Sequence, residues 1–166
     1  MPSTDPSGVA HAPRFVPFMN PLMRRLMGTG LPFGPNVLLT VRGRTSGLPR
    51  TFPVAVLETG GRRFVTAPYG QVNWVRNLRA DGAATVTKGR ERTEVEAVEL
   101  SPEEGGAVLR EAVGPYVTSW IGAKLVGLFF GLRPGASLGE YVEDVRGHPI
   151  FELRPRDPEA ALSPKQ

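Results

Sequence analysis

From Asn36 onward the chain alternates apolar and polar residues in short runs. "NVLLTVRG", "RTFPVAVLE", "RRFVTAP", "AATVTKG" and "ERTEVEAVEL" are rich in β-branched residues and are separated by turns such as Thr59-Gly60-Gly61 and Lys88-Gly89. A period of two between turn signals predicts antiparallel strands with one face turned to a core. "HPIFELRP" predicts a closing strand from His148 to Leu153. The period changes in "QVNWVRNLRADG", where Val72, Val75 and Leu78 fall three apart and the pattern stops at Gly82, so a helix sits between two strands. Another helix starts at Ser101, with Pro102 at its first position and Glu104 at its third.

Two stretches are apolar beyond what such strands need. Phe15, Phe18, Met19, Leu22, Met23, Leu26 and Met27 recur at helical spacing, and Asn20-Pro21 reads as a helix start, which predicts a short amphipathic helix from Pro21 to about Met27 with Arg24 and Arg25 on another face. Such a helix could cover the domain, form a lid over an apolar substrate, or lie on a membrane surface. "PYVTSWIGAKLVGLFFGLRPG" is interrupted by Lys124 and falls short of the ~20 apolar residues that span a bilayer, so it reads as a buried or lid helix.

With 166 residues, 20 Gly and 17 Pro, the chain suits one core built from many short elements. The expected fold is mainly β with flanking helices, α+β overall, and the strand spacing points to a small barrel or sandwich. The expected organisation is a disordered lead at 1–13, an amphipathic helix and linker at 14–35, a barrel domain at 36–154, and a loose tail at 155–166. No Cys is present, which excludes disulfides and thiol nucleophiles. The two His, His11 and His148, stand without acidic clusters at ligand spacing, so no metal site is expected. Met1 to Pro13 has no cleavable signal pattern, which makes the cytoplasm the default compartment. The net charge of +4 comes without basic runs interleaved with aromatics, so nucleic acid is not the expected partner.

Only three of the 20 basic residues are Lys, and three Arg crowd into "VRGRTSGLPRTFPVAV". Arg42, Arg44, Thr45, Ser46 and Arg50 place guanidiniums and hydroxyls on one turn between two strands, a donor set suited to phosphate or carboxylate. A solvated hairpin tip is the alternative. No catalytic triad is visible. The hydroxyls that could move a proton are those of Tyr69, Tyr116, Tyr141 and Ser119.

"NVLLTVRGRTSGLPRTFPVAV", "RRFVTAPYG" and "NWVRNLRADG", closed by "HPIFEL", resemble the deazaflavin-dependent nitroreductase family, the flavin/deazaflavin oxidoreductase A group of actinobacteria. The ordered combination G-R-x-S-G-x-P-R followed by W-x-x-N-L carries the likeness over about Asn36 to Leu100 and the last strand. The resemblance implies an FMN-binding-protein-like split β-barrel that binds coenzyme F-420 and passes a hydride to an apolar, electron-poor acceptor such as a quinone, an enone or a nitro compound. By position it implies that Arg42, Arg44, Thr45, Ser46 and Arg50 hold the coenzyme's phosphate and tail carboxylates. Pro68, Tyr69 and Gly70 would approach the deazaflavin, and Trp74 and Asn77 would border it; of those hydroxyls, or water, as donor of the proton that follows the hydride, Tyr69 is then favoured by its place beside the ring. A homodimer is the family expectation. FMN in the same fold is the runner-up cofactor. A non-catalytic lipid- or isoprenoid-binding protein is the alternative of another class.

Overall fold

The computed structural model describes residues 37–156. The lead, the amphipathic helix expected at Pro21 to Met27, and the tail beyond residue 156 lie outside the described residues. Seven strands form one antiparallel sheet: β1 (Val37–Arg42), β2 (Pro49–Val54), β3 (Val56–Thr59), β4 (Arg62–Thr66), β5 (Ala83–Lys88), β6 (Glu91–Glu99) and β7 (Ile150–Pro155). Their spatial order is β2-β1-β5-β6-β7-β4-β3. The two ends of that order, β2 and β3, are separated in sequence by Ala55 alone. The run "RTFPVAVLE" therefore pairs with β1 through its first half and with β4 through its second. This continuity curls the sheet into a split barrel.

Four helices accompany the sheet: α1 (Asn73–Asp81), α2 (Pro102–Val113), α3 (Trp120–Phe130) and α4 (Leu138–Gly147). Alternation along the strands divides the core into two clusters. Val65 and Phe151 face the barrel interior with Leu39, Val41, Val86 and Val95, and Trp74, Val75 and Leu78 of α1 pack into that same interior. Their sequence neighbours Phe64 and Ile150 point the other way, into a second cluster with Leu109, Val126, Phe130 and Tyr141 of the three later helices. One sheet thus carries α1 on one side and α2 to α4 on the other, the expected outcome of a two-residue period buried on both faces.

The helix starts follow local chemistry. Ser101 and Glu104 form a reciprocal capping box with Pro102 in the first turn, as the sequence predicts. Helix α4 is an element that the hydrophobic pattern did not announce. It has its own capping box, Ser137 with Glu140, and buries Tyr141 and Val145 one turn apart. It reaches α2 closely because Gly105 and Gly106 face it: a Cβ on either would come within 2.7 Å of Val145 or Val142.

Two boundaries differ from expectation. The closing strand runs from Ile150 to Pro155, because His148 ends α4 as its C-cap, its N–H donating to the Asp144 carbonyl. Residues 155 and 156, expected to be loose, are held on the sheet: Pro155 pairs in register with Val95, and the Arg156 N–H donates to the Glu94 carbonyl at 2.9 Å. Among the described residues no helix is long and apolar enough to cross a membrane.

Candidate functional site

Strands β1 and β2 pair through Arg42 opposite Pro49, leaving residues 43–48 to make the turn. Two main-chain bonds close it, Gly43 N–H to the Leu48 carbonyl at 2.8 Å and Gly47 N–H to the Gly43 carbonyl at 2.7 Å. Gly47 has φ +67°, a left-handed conformation that a side chain would strain. Ser46 Oγ accepts from the Leu48 N–H at 3.3 Å, which leaves its hydroxyl proton free to donate. Short closure and a left-handed glycine thus turn a loop of six residues into a fixed presentation of Arg44, Thr45 and Ser46, all exposed.

Arg42, Arg44 and Arg50 are exposed as well. None of the ion pairs among the described residues uses them. Their contacts differ. Arg42 lies against Gly47 and lines a cleft of about 220 Å³ on the β1–β5 face, together with Thr40, Thr85, Asp81 and Glu94. Two carboxylates in that wall make it a poorer seat for an anion than the open side of the turn. Arg50 runs beside Gly43. Arg44 is tied to α1: Asn77 Oδ1 accepts from its main-chain N–H at 3.2 Å and from its Nη1 at 3.1 Å.

Asn77 is 5% exposed, so the W-x-x-N segment works from inside the fold. Trp74 is a core residue there, its ring tilted 59° to that of Phe151 at a centroid distance of 6.0 Å. Helix α1 is thereby fixed to the barrel through Trp74 and to the arginine turn through Asn77. The structure thus brings together two segments, Arg42 to Arg50 and Trp74 to Asn77, that lie about thirty residues apart in sequence. Sequence spacing could not have shown that the link is Asn77 to Arg44.

Pro68, Tyr69 and Gly70 form a tight turn after β4. The Gly70 N–H donates to the Ala67 carbonyl at 2.9 Å, and the Ala67 N–H is held by the Pro149 carbonyl at 3.1 Å. Tyr69 projects from it, 41% exposed. The other hydroxyls divide clearly. Tyr141 is 4% exposed in the helix-side cluster, where burial pushes its phenol above the usual range, so it is withdrawn from solvent chemistry. Ser119 caps α3, accepting from the Gly122 N–H at 3.0 Å. His148 pairs with Asp144 at 2.8 Å, and that bond raises its pKa. Among the described residues no cluster of three or more His, Asp or Glu could hold a metal.

The donor set fits an anionic cofactor: guanidiniums without carboxylate partners among the described residues, and hydroxyls on a turn whose geometry is fixed from behind. Several solved structures are similar to the chain. One is an F420-H2 dependent reductase (FDR-A), 22% identical over 71% of this chain and 92% of that one, with TM-score 0.43. Another is described as a domain-swapped dimer, 20% identical over 83% and 98%, with TM-score 0.44. A third is a nimc/nima family protein from Clostridium acetobutylicum, 13% identical over 86% and 87%, with TM-score 0.46. No curated protein sequence matches the chain. The F420H(2)-dependent quinone reductase family model matches residues 20–120, a span that contains the arginine turn, the Tyr69 turn and α1, and by that match the chain belongs to this family of oxidoreductases.

Proposed function

We propose that this protein passes a hydride from reduced coenzyme F-420 to an apolar, electron-poor acceptor, a quinone, an enone or a nitro compound, with the β1–β2 turn as the seat of the coenzyme's phosphate and tail carboxylates. The observation that carries the proposal is the state of the turn. Arg44 and Arg50 are exposed and lack carboxylate partners among the described residues, and Arg44 is held in place by Asn77. Charge-assisted hydrogen bonds are worth roughly 1.5–3 kcal/mol each. Two or three of them would supply much of the ~8 kcal/mol of a micromolar complex.

When bound, the reduced deazaflavin supplies the hydride from its C5. The chain's own residues do the rest. Arg44, Arg50, Thr45 and Ser46 bind the anionic tail, with Arg42 at the edge of the turn. The main chain of Pro68 to Gly70 would lie beside the ring, and α1 would back that wall through its buried Trp74 and Asn77. The Tyr69 hydroxyl, on a turn pinned to Pro149 and open to solvent, donates the proton that follows the hydride.

The acceptor side is proposed to be apolar. Along α3, Val126 and Phe130 point into the fold, while Trp120, Ile121 and Leu128 are 75%, 56% and 76% exposed on the opposite arc. With residues 14–28 as a lid or peripheral membrane contact on the cytoplasmic side, this arc would receive molecules that desolvate readily. Deleting residues 1–28 is expected to spare F-420 binding and to raise the apparent KM for menadione-like quinones. An unchanged KM would remove the segment from the acceptor site. A homodimer belongs to the same reading and is checked by sedimentation.

The decisive test is a fluorescence titration with F-420, expected to saturate with a micromolar or tighter Kd, competed by FMN. One phosphate on FMN meets fewer donors than a polyanionic tail, so FMN is expected to bind more weakly. Preference for FMN would overturn the assignment.

A further inference from the structure

Arg44 is anchored by a neutral group, unlike the arginines that form ion pairs elsewhere among the described residues. Arg62 is held by both oxygens of Glu152, at 2.7 and 2.9 Å. Arg79 is held by both oxygens of Glu99, at 2.8 and 2.7 Å. Arg146 reaches Glu143 and Glu103. At Arg44 the acceptor is instead one amide oxygen, Asn77 Oδ1, taking bonds from the main chain and the guanidinium of the same residue.

The choice between amide and carboxylate has a physical consequence. Asp has nearly the shape of Asn, so a carboxylate at position 77 could reach the same two donors, and charge would make the bonds stronger. It would also cancel the cation that faces outward. An amide fixes one end of the side chain and leaves the positive charge and the remaining N–H groups uncommitted. Because Asn77 is buried and belongs to a helix whose Trp74 is locked in the barrel core, the anchor cannot follow Arg44 if it swings. The side chain is therefore ordered before a ligand arrives, which lowers the entropy lost on binding.

We infer that Asn77 is a positioning residue for anion recognition: buried behind the β1–β2 turn, it pre-orders Arg44 without neutralising it, so the turn's affinity for a polyanion depends on an uncharged side chain that acts through the arginine. The inference rests on the proposed function for the identity of the natural ligand. Its electrostatics apply to any polyphosphate, which allows the two to be tested apart.

The experiment titrates wild type, Asn77→Asp, Asn77→Ala, Arg44→Ala and the double variants with F-420 and, separately, with inorganic tripolyphosphate, at several salt concentrations, and records thermal unfolding of each. Asn77→Asp is expected to stay folded yet lose about tenfold to a hundredfold in affinity for both anions. That loss should match Arg44→Ala, add nothing to it in the double variant, and flatten the salt dependence to the same degree. A merely structural Asn would give none of these signatures in a folded Asp variant. Wild-type affinity and salt dependence in Asn77→Asp, with Arg44→Ala impaired, would overturn the inference. Should the Asp variant fail to fold, additive losses of Asn77→Ala and Arg44→Ala would overturn it equally. Wild-type binding of tripolyphosphate without F-420 would sink the proposed function and leave this inference standing.

Discussion

Two arginine clusters sit on the same barrel and do opposite things. On β4 and β7, Arg62 and Arg154 both donate to Glu152, whose side chain is nearly buried on the outer face. Arg62 also lies 5.0 Å from the Phe64 ring centroid. The hydrogen bonds from Arg62, joined by Arg154, pull the Glu152 carboxyl down to about 2. That cluster is closed: its donors and its acceptor satisfy one another. On the β1–β2 turn, Arg42, Arg44 and Arg50 meet no carboxylate in any ion pair among the described residues, and the anchor of Arg44 is an amide. The first cluster joins strands; the second faces outward without a carboxylate partner among the described residues, as the proposed anion seat requires. Arginine content alone does not distinguish them, whereas the charge of the partner does.

The contrast is broken most strongly at the open cluster. Arg44→Ala combined with Arg50→Ala is expected to weaken F-420 binding by about 2–5 kcal/mol, each single change by about 1–3 kcal/mol, with thermal unfolding unchanged. Calorimetry checks this, and the losses should shrink as salt screens the exposed pairs. Equal affinity in wild type and double variant would mean that the turn is a solvated hairpin tip.

At the closed cluster the expected effect moves from binding to stability. Glu152→Gln should cost about 2 kcal/mol in urea unfolding at neutral pH and leave F-420 affinity untouched. The sign of the pH dependence follows from a folded-state pKa lowered from 4.5 to about 2. The contribution of Glu152 is fully present above the unfolded value and fades as pH falls from 4.5 through about 2. Wild type and Glu152→Gln should therefore converge in stability over that window. A constant gap would assign the loss to packing instead.

Tyr69→Phe tests whether chemistry is separate from anion binding. Turnover is expected to fall about tenfold, ~1.4 kcal/mol, with F-420 affinity unchanged, because water can replace a donor that is already exposed. Loss of affinity without loss of turnover would assign Tyr69 to the coenzyme's seat. The smallest effect belongs to Arg79, whose two-pronged pair with Glu99 is about one-third exposed on both sides. Arg79→Ala should change stability by no more than about 0.5 kcal/mol, which chemical denaturation can resolve against Glu152→Gln. A large loss there would show that geometry, and not burial, separates the two kinds of pair.

Much of this was legible in one dimension. The alternation of Val37, Leu39 and Val41 marked an inward face for β1, Gly82 stopped α1, and Ser101-Pro102-Glu103-Glu104 marked the start of α2. The crowding of donors between Arg42 and Arg50 also stood out without a structure. Helix α4 was missed, although Ser137 and Glu140 form a capping box, because "SLGEYVEDVRG" has few apolar residues and shows only Tyr141 and Val145 to a core. The expectation of a buried or lid helix in "PYVTSWIGAKLVGLFFGLRPG" met a helix over Trp120–Phe130 that is apolar on both arcs, with one arc inward and one exposed.

Local physics explains what the sequence determined by itself. Side-chain period, turn glycines and caps act over a few residues, so the strands, three of the helices and the donor-rich turn could be read directly. Three things needed the tertiary structure. The break at Ala55 lets one run of residues serve both ends of the sheet, which depends on which strands pair. Glu152 becomes the closed partner of Arg62 only because β7 lies beside β4. Asn77 becomes the anchor of Arg44 only because α1 packs into the barrel and its middle passes beside the turn. Each is a contact between residues far apart in the chain, and burial strengthens such a contact in a way that residue type alone does not reveal. Composition could announce arginines; only the fold could decide which of them meet a carboxylate and which face outward without one among the described residues.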